Sequence, residues 1–165
     1  MKTIIGQDAI VEVLGQKEIP AKIDTGADSS AIWVSNVKIT KDNILKFKLF
    51  DKQSPFFTNK TISRKDFRVV ATRSSHGDQK IFYRTHIPMT IEGRKIRVLF
   101  TLADRSNNQY PILIGKRTIK NRFIVDVSKK LIQNHKPKIS NSLNKEFQKN
   151  PHKFHQKYIE ERSSK

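Results

Sequence analysis

The chain has no cysteine among its 165 residues. Disulfides and thiolate metal sites are thereby excluded, and the redox compartment is left unconstrained. Acidic residues are scarce: 15 Asp and Glu stand against 33 Lys and Arg, a formal net charge of +18. A pI near 10.3 predicts attraction to polyanions, whether nucleic acid, an acidic protein segment or an anionic surface; it says nothing about fold. Long apolar runs are missing too. No stretch approaches the length that spans a bilayer, and Gln7, Asp8 and Glu12 interrupt any apolar core a secretory leader would need. The expectation is a soluble, cytoplasmic protein with no membrane partner. There is no H-E-x-x-H, and the histidines (His76, His86, His135, His152 and His155) are scattered. His152 and His155 lie one helical turn apart and read as solvated polar residues rather than a metal site. Gly115-Lys116-Arg117 lacks the upstream glycine of a phosphate-binding loop. No metal and no cofactor are expected.

What is present reads mostly as β. Val11 to Leu14, Ala21 to Asp24, Ala31 to Val34 and Asn36 to Ile39 are short runs separated by turn residues. Ile44 to Phe50 alternates, with Leu45, Phe47 and Leu49 on one face and Lys46, Lys48 and Phe50 on the other. Phe67 to Ala71 and Lys80 to Arg84 flank Ser74-Ser75-His76-Gly77-Asp78, which is hairpin-turn chemistry. Thr85 to Ile91 and Lys95 to Leu102 flank a second turn at Glu92-Gly93-Arg94. One short helix is expected at Arg117 to Asn121 and a last strand at Phe123 to Val127. Many short strands with frequent turns predict an all-β barrel or sandwich. Trp33 and the phenylalanines are assigned to the core or a dimer interface.

Composition shifts after Ser128. Residues 129–165 carry ten Lys or Arg against three acids and few branched apolar residues. The expected organisation is a domain over 1–130 and a basic tail over 131–165, partly disordered with one or two helical pieces. Asn150-Pro151 is a helix start, and Phe154, Tyr158 and Ile159 form a thin apolar stripe. The basic tail also admits nucleic acid as a partner.

Asp24-Thr25-Gly26-Ala27 stands where an apolar strand runs into a polar turn. The carboxylate can hold or give a proton, the hydroxyl can lock the loop, and the glycine lets another backbone come close. Alone, Asp-x-Gly is also ordinary turn chemistry. A second element, Pro111-Ile112-Leu113-Ile114-Gly115-Lys116-Arg117, lies far downstream. Acid–base work by Asp24 needs a second carboxylate, because two Asp side chains held close share one proton and divide the roles of base and acid. There is one D-T-G, and Asp104 and Asp126 lack the Thr-Gly flank. The simplest source of the second copy is a second chain across a two-fold axis.

Asp24 to Ser30 resembles the active-site loop of retropepsins, the dimeric aspartic proteases, and Pro111 to Gly115 resembles their second signature. More closely, the chain is similar to the bacterial retropepsin-like (RimB-like) family often labelled "ATP-dependent zinc protease". The shared motifs are Asp24 to Ala31, Tyr83-Arg84-Thr85, Leu102 to Arg105, Leu113 to Ile119 and Arg122-Phe123-Ile124-Val125-Asp126. The resemblance covers about Ile4 to Leu131. It implies a closed all-β barrel subunit with one short helix and a homodimeric aspartic endopeptidase acting on peptides or proteins. Asp24 would be the catalytic carboxylate, with Thr25 locking the two loops together and Gly26 offering a carbonyl near substrate. Ala27 would pack under the loop, and Asp28 would touch substrate backbone or pair with Lys116 or Arg117. His76 and Gly77 would sit at the tip of the flap and touch substrate, while His76 also reads as a plain exposed turn residue. Ile114 and Gly115 would pack behind the loop. The family usually has Arg directly after that glycine, where this chain has Lys116, and an ammonium cannot make a planar bidentate pair. The family's association with ligases that add glutamates to a ribosomal protein, together with the positive charge, implies acidic or glutamylated substrates. The competing expectations are an idle retropepsin-fold module that binds RNA or the ribosome through its basic surface, and a protein that only dimerises.

Overall fold

A computed structural model describes residues 1–132 and 139–163, and His135 lies outside them. The chain divides into two compact units, Met1–Ile132 and Gln133–Lys165.

The first unit is built of eleven strands and one short helix. They are β1 (Thr3–Ile5), β2 (Asp8–Val13), β3 (Gln16–Ile23), β4 (Ser30–Ile39), β5 (Leu45–Leu49), β6 (Thr61–Arg64), β7 (Arg68–Arg73), β8 (Gln79–Ile91), β9 (Arg94–Ala103), β10 (Ile112–Ile114), α1 (Lys116–Ile119) and β11 (Phe123–Val125). Strands β10, β3, β2, β8, β9 and β4 pair in that order, and β10 pairs again with β4, so the sheet closes on itself. The result is the expected all-β closed barrel. Among the described residues, closure leaves those six strands without a free edge, while β6 pairs only with β5 and β7 only with β8 outside the circuit. Local sequence sets the corners. Leu14-Gly15 and Glu92-Gly93 both take positive φ at two successive residues, the mirror-image turn whose twist matches tight hairpins.

Alternation fixes which side faces the core. In β9, Val98, Phe100 and Leu102 are buried while the residues between them are more exposed. In β5, Leu45, Phe47 and Leu49 are buried, as their spacing predicts. Phe50 departs from that reading: it is fully buried, not on the outer face with Lys46 and Lys48. The strand has ended, and a positive φ of 62° at Phe50 turns its ring inward. There it meets Trp33 edge-on at 6.2 Å and Phe56 at 5.9 Å.

Several expected runs merge. Ala31 to Val34 and Asn36 to Ile39 are one strand, β4, carrying a bulge between Ser35 and Lys38 with Asn36 at positive φ. The runs flanking Arg84 are likewise one strand, β8, long enough to pair with β2, β7 and β9. Strands β1 and β6 are additions to the expected set. Strand β1 pairs in parallel with β11 as a separate two-stranded sheet.

The first unit reaches Ile132, two residues past the expected boundary. Asp8 explains the extension. Its carboxylate is buried and accepts hydrogen bonds from the Leu131 and Ile132 amides at 2.7 and 2.9 Å and from the Tyr110 hydroxyl at 3.0 Å.

In the second unit, α2 (Ile139–Lys149) is followed by α3 (Pro151–His155), a π-type segment over Gln156–Glu160 and α4 (Glu161–Ser163). Asn150 caps α3, its side-chain oxygen accepting from the Lys153 amide at 3.0 Å. The aromatic stripe runs through Phe147, Phe154 and Tyr158, with ring centroids 5.5 and 4.6 Å apart. Ile159, expected in the stripe, is exposed.

Candidate active site

The loop from Asp24 to Ser29 connects β3 to β4. Strand β10 lies hydrogen-bonded between those same two strands, parallel to β3 (Ile114 opposite Ile23) and antiparallel to β4 (Leu113 opposite Ala31). The two signatures, some ninety residues apart in the chain, are thus neighbours because barrel closure puts them there.

Backbone hydrogen bonds then pin the loop. The Asp24 amide donates to the Ile114 carbonyl at 2.9 Å. The Lys116 and Arg117 amides donate to the Ala27 and Asp28 carbonyls at 2.7 and 3.1 Å. Gly115 sits so close to the loop that a Cβ there would fall 2.4 Å from the Ser29 carbonyl oxygen and 2.9 Å from that of Ala27. Glycine is required at this position for want of space, since its φ of −92° suits any residue. Behind the loop, the Ser30 hydroxyl accepts from the Gly115 amide at 3.0 Å and meets the Thr118 hydroxyl at 2.8 Å. Both side chains are buried.

Asp24 itself is half-buried. Its Oδ1 accepts from the Gly26 amide at 2.9 Å, which fixes the carboxylate's orientation. Thr25 and Gly26 are exposed. Asp28 is exposed and pairs with Lys116, Nζ to Oδ1, at 2.9 Å. That ammonium's hydrogen bond, then its charge, hold the Asp28 carboxyl below its ordinary value.

Two guanidinium groups missed by the sequence reading as site members flank the loop. Arg84, on β8, donates to Ser29 Oγ and Thr101 Oγ1, both at 3.0 Å. Arg105, half-buried in the connection from β9 to β10, donates to the Tyr110 carbonyl at 3.1 Å. Burial lowers the Arg105 pKa and the Asp24 charge opposes that shift, so these two groups are within electrostatic reach. Among the described residues neither arginine has a carboxylate partner within ion-pair distance. Both lie in motifs quoted above, and that was the available signal.

His76 and Gly77 occupy the exposed tip between β7 and β8. The tip is closed by its own bonds: the Gly77 amide to the Ser74 carbonyl at 3.0 Å and the Ser74 amide to the Asp78 carbonyl at 2.9 Å. Gly77 has φ of 86°, which glycine takes without strain. Their hydrogen bonds join them to the hairpin, not to the Asp24 loop. No group of three or more His, Asp or Glu side chains among the described residues is placed to hold a metal ion. No helix among them is long and apolar enough to cross a membrane.

Comparison with known proteins agrees with this geometry. The chain is 29% identical over 132 residues to a probable alpha-L-glutamate ligase of Shewanella pealeana, and 28% identical to one of Shewanella halifaxensis. The match covers 77% of this chain but only 29% of each of those proteins. A crystal structure of a Legionella pneumophila protein of unknown function superposes with a TM-score of 0.58 at 20% identity, covering 79% of this chain and 98% of that one. Residues 4–136 match the family model described as the retropepsin-like aspartic endopeptidase RimB. The chain belongs to the RimB-like family of retropepsin-like aspartic endopeptidases.

Proposed function

We propose that this chain is an aspartic endopeptidase whose active site is completed by a second copy of itself. The observation that carries the reading is the state of Asp24. It is a half-buried carboxylate, fixed by the Gly26 amide on a pinned loop, with Thr25 exposed beside it. An exposed Thr25 hydroxyl suits a contact with the same loop of a partner. The two-stranded sheet of β1 and β11 also leaves Ile4 and Ile124 exposed opposite each other, apolar surface that suits a self-contact.

In the dimer two Asp24 carboxylates share one proton and titrate as a unit. The ionised member takes a proton from water as the water oxygen attacks the scissile carbonyl. The protonated member gives its proton to the carbonyl oxygen. The resulting gem-diol collapses, the C–N bond breaks, and a proton passes to the leaving nitrogen. Nothing becomes covalently attached to the protein.

Acidic chains are the substrate class we favour. Among the described residues Arg84 and Arg105 flank the loop with no carboxylate at ion-pair distance, and the net charge is +18. The relatives that carry a similar region are named as glutamate ligases, which suggests glutamate-bearing chains as what is cut. Cleavage of Glu-rich and neutral peptides should be compared over a salt series. Faster cleavage of Glu-rich peptides that slows with salt is expected. Equal, salt-insensitive rates would exclude acidic selectivity.

A further inference from the structure

A cleft of about 150 Å³ lies behind the end of the loop that carries Asp24, where Ser29 and Ser30 line it. Its walls include Ser29, His86, Arg97, Arg117, Thr118 and Arg122. These residues come from the Asp24 loop, β8, β9, α1 and the turn after α1, so the fold, not one basic stretch of sequence, gathers the charges.

Among the described residues no carboxylate lines this cleft, although the Arg117 charge acts on the Asp28 carboxyl near its edge. Among the described residues none of its three arginines is in an ion pair. Arg122 is held in place by donating to the Thr118 carbonyl at 3.2 Å, and Arg94 donates to the Arg122 carbonyl at 3.1 Å. The Arg97 and Arg117 side chains have no hydrogen-bond partner of their own among the described residues. Like charges gathered around a small cavity repel one another. An anion between them reverses the sign of that interaction. Guanidinium groups favour planar, paired contacts to oxyanions, and hydroxyls such as that of Ser29 add donors. Among the described residues no Phe, Tyr or Trp lines the cleft and His86 is its single ring; the three guanidinium groups dominate the lining, which makes the oxyanion the recognised unit. Three guanidinium groups approaching from separate elements suit a compact dianion better than a single carboxylate.

We propose that this cleft is a binding site for one phosphate group, held by Arg97, Arg117 and Arg122 with Ser29 and His86. The proposal does not depend on the peptidase reading. Because Ser29 and Ser30 line it, its occupant lies directly behind the loop that positions Asp24.

The test is calorimetric titration of the full chain with inorganic phosphate, and separately with methyl phosphate, at fixed ionic strength. Saturable binding of one anion per chain is expected. Binding of both probes identifies a phosphate ester as an acceptable source, and binding of inorganic phosphate alone identifies the free ion. The Arg97→Gln/Arg117→Gln variant should bind at least about tenfold more weakly, the loss of charge-assisted hydrogen bonds. Lys38→Gln/Lys41→Gln removes the same charge at exposed positions away from the cleft and should bind as the parent does. Circular dichroism confirms that each variant is folded, and Arg97→Gln alone serves if the double variant is not. Absence of saturable binding would overturn the proposal. So would equal weakening in the arginine and lysine variants, which would mean unspecific attraction to net charge.

Discussion

The Ser30 hydroxyl accepts a hydrogen bond from the Gly115 amide and lies 2.8 Å from the Thr118 hydroxyl, joining the start of β4 to the residues that follow β10. Ser30 lies on the far side of the loop from Asp24, and Gly115 is the residue against which that loop packs. One buried hydroxyl therefore ties together the two signatures of the site.

Ser30→Ala leaves a buried amide and a buried hydroxyl without this partner. The expected cost is about 1–3 kcal/mol of stability, read as a fall in denaturant midpoint with an unchanged slope. Thr118→Val should cost less, because Ser30 can still accept from Gly115. A Thr118→Val variant less stable than Ser30→Ala would show that the amide contact is not the important one.

Gly115→Ala forces a methyl group to within 2.4 Å of the Ser29 carbonyl, and neither partner there is a flexible side chain. Overpacking of this kind typically costs about 1–3 kcal/mol and can cost more. Loss of the folded state, or a strong fall in melting temperature, is expected from thermal unfolding. A variant as stable as the parent would mean that the loop can move away freely, contrary to its pinning by the Ala27 and Asp28 carbonyls.

Asp8 and Tyr110 give the fold a dependence on pH at both ends. Burial pushes the Asp8 carboxyl up, but hydrogen bonds from the Leu131 and Ile132 amides and the Tyr110 hydroxyl outweigh it and hold the group below its ordinary value. A folded-state value below the unfolded one means stability that is present above about pH 4 and lost as pH falls through the folded value. Burial, then the bond to Asp8, push the Tyr110 phenol up to about 12. Its contribution is complete below the unfolded value, about pH 10, and is lost as pH rises through the folded value. Tyr110→Phe should lower stability near neutral pH by about 1.5–3 kcal/mol, the worth of a hydrogen bond to a charged group. It should also flatten the alkaline limb, as followed by denaturant unfolding across pH. An alkaline limb as steep in Tyr110→Phe as in the parent would place its cause elsewhere.

The Lys116–Asp28 pair is solvent-exposed on both sides. Lys116→Gln should leave the melting temperature unchanged within error, and any change should vanish at high salt. A large salt-independent loss would show that Lys116 holds the loop by more than charge.

The site was legible where its chemistry is local. Asp24-Thr25-Gly26 at a strand end and Ile112-Leu113-Ile114-Gly115 before a turn are short patterns, and the structure places them side by side. Hairpins with glycine at the turn were readable for the same reason. Phe50 was misplaced because alternation assumes that the strand continues, and a positive φ ended it. Strand β1 is three residues long and β6 has a single apolar residue, Ile62, so neither offers a periodic pattern. Asp8 was read only as an interruption of an apolar run, because its partners lie 102 or more residues away. The Ser30–Thr118 pair, 88 residues apart, left no local trace either. Such polar contacts depend on barrel closure, which the sequence does not spell out at either residue.

In the proposed mechanism Asp24 works only against a second Asp24. The most direct test is turnover of a Glu-rich peptide by a fixed amount of parent chain mixed and equilibrated with increasing Asp24→Asn chain. Asp24→Asn alone should be inactive, and native mass should show it still dimeric. In the mixtures, activity per parent chain should fall in proportion to the fraction of parent partners remaining. Activity per parent chain that stays constant as Asp24→Asn is added would mean that each Asp24 acts without its copy, and the shared dyad would be excluded.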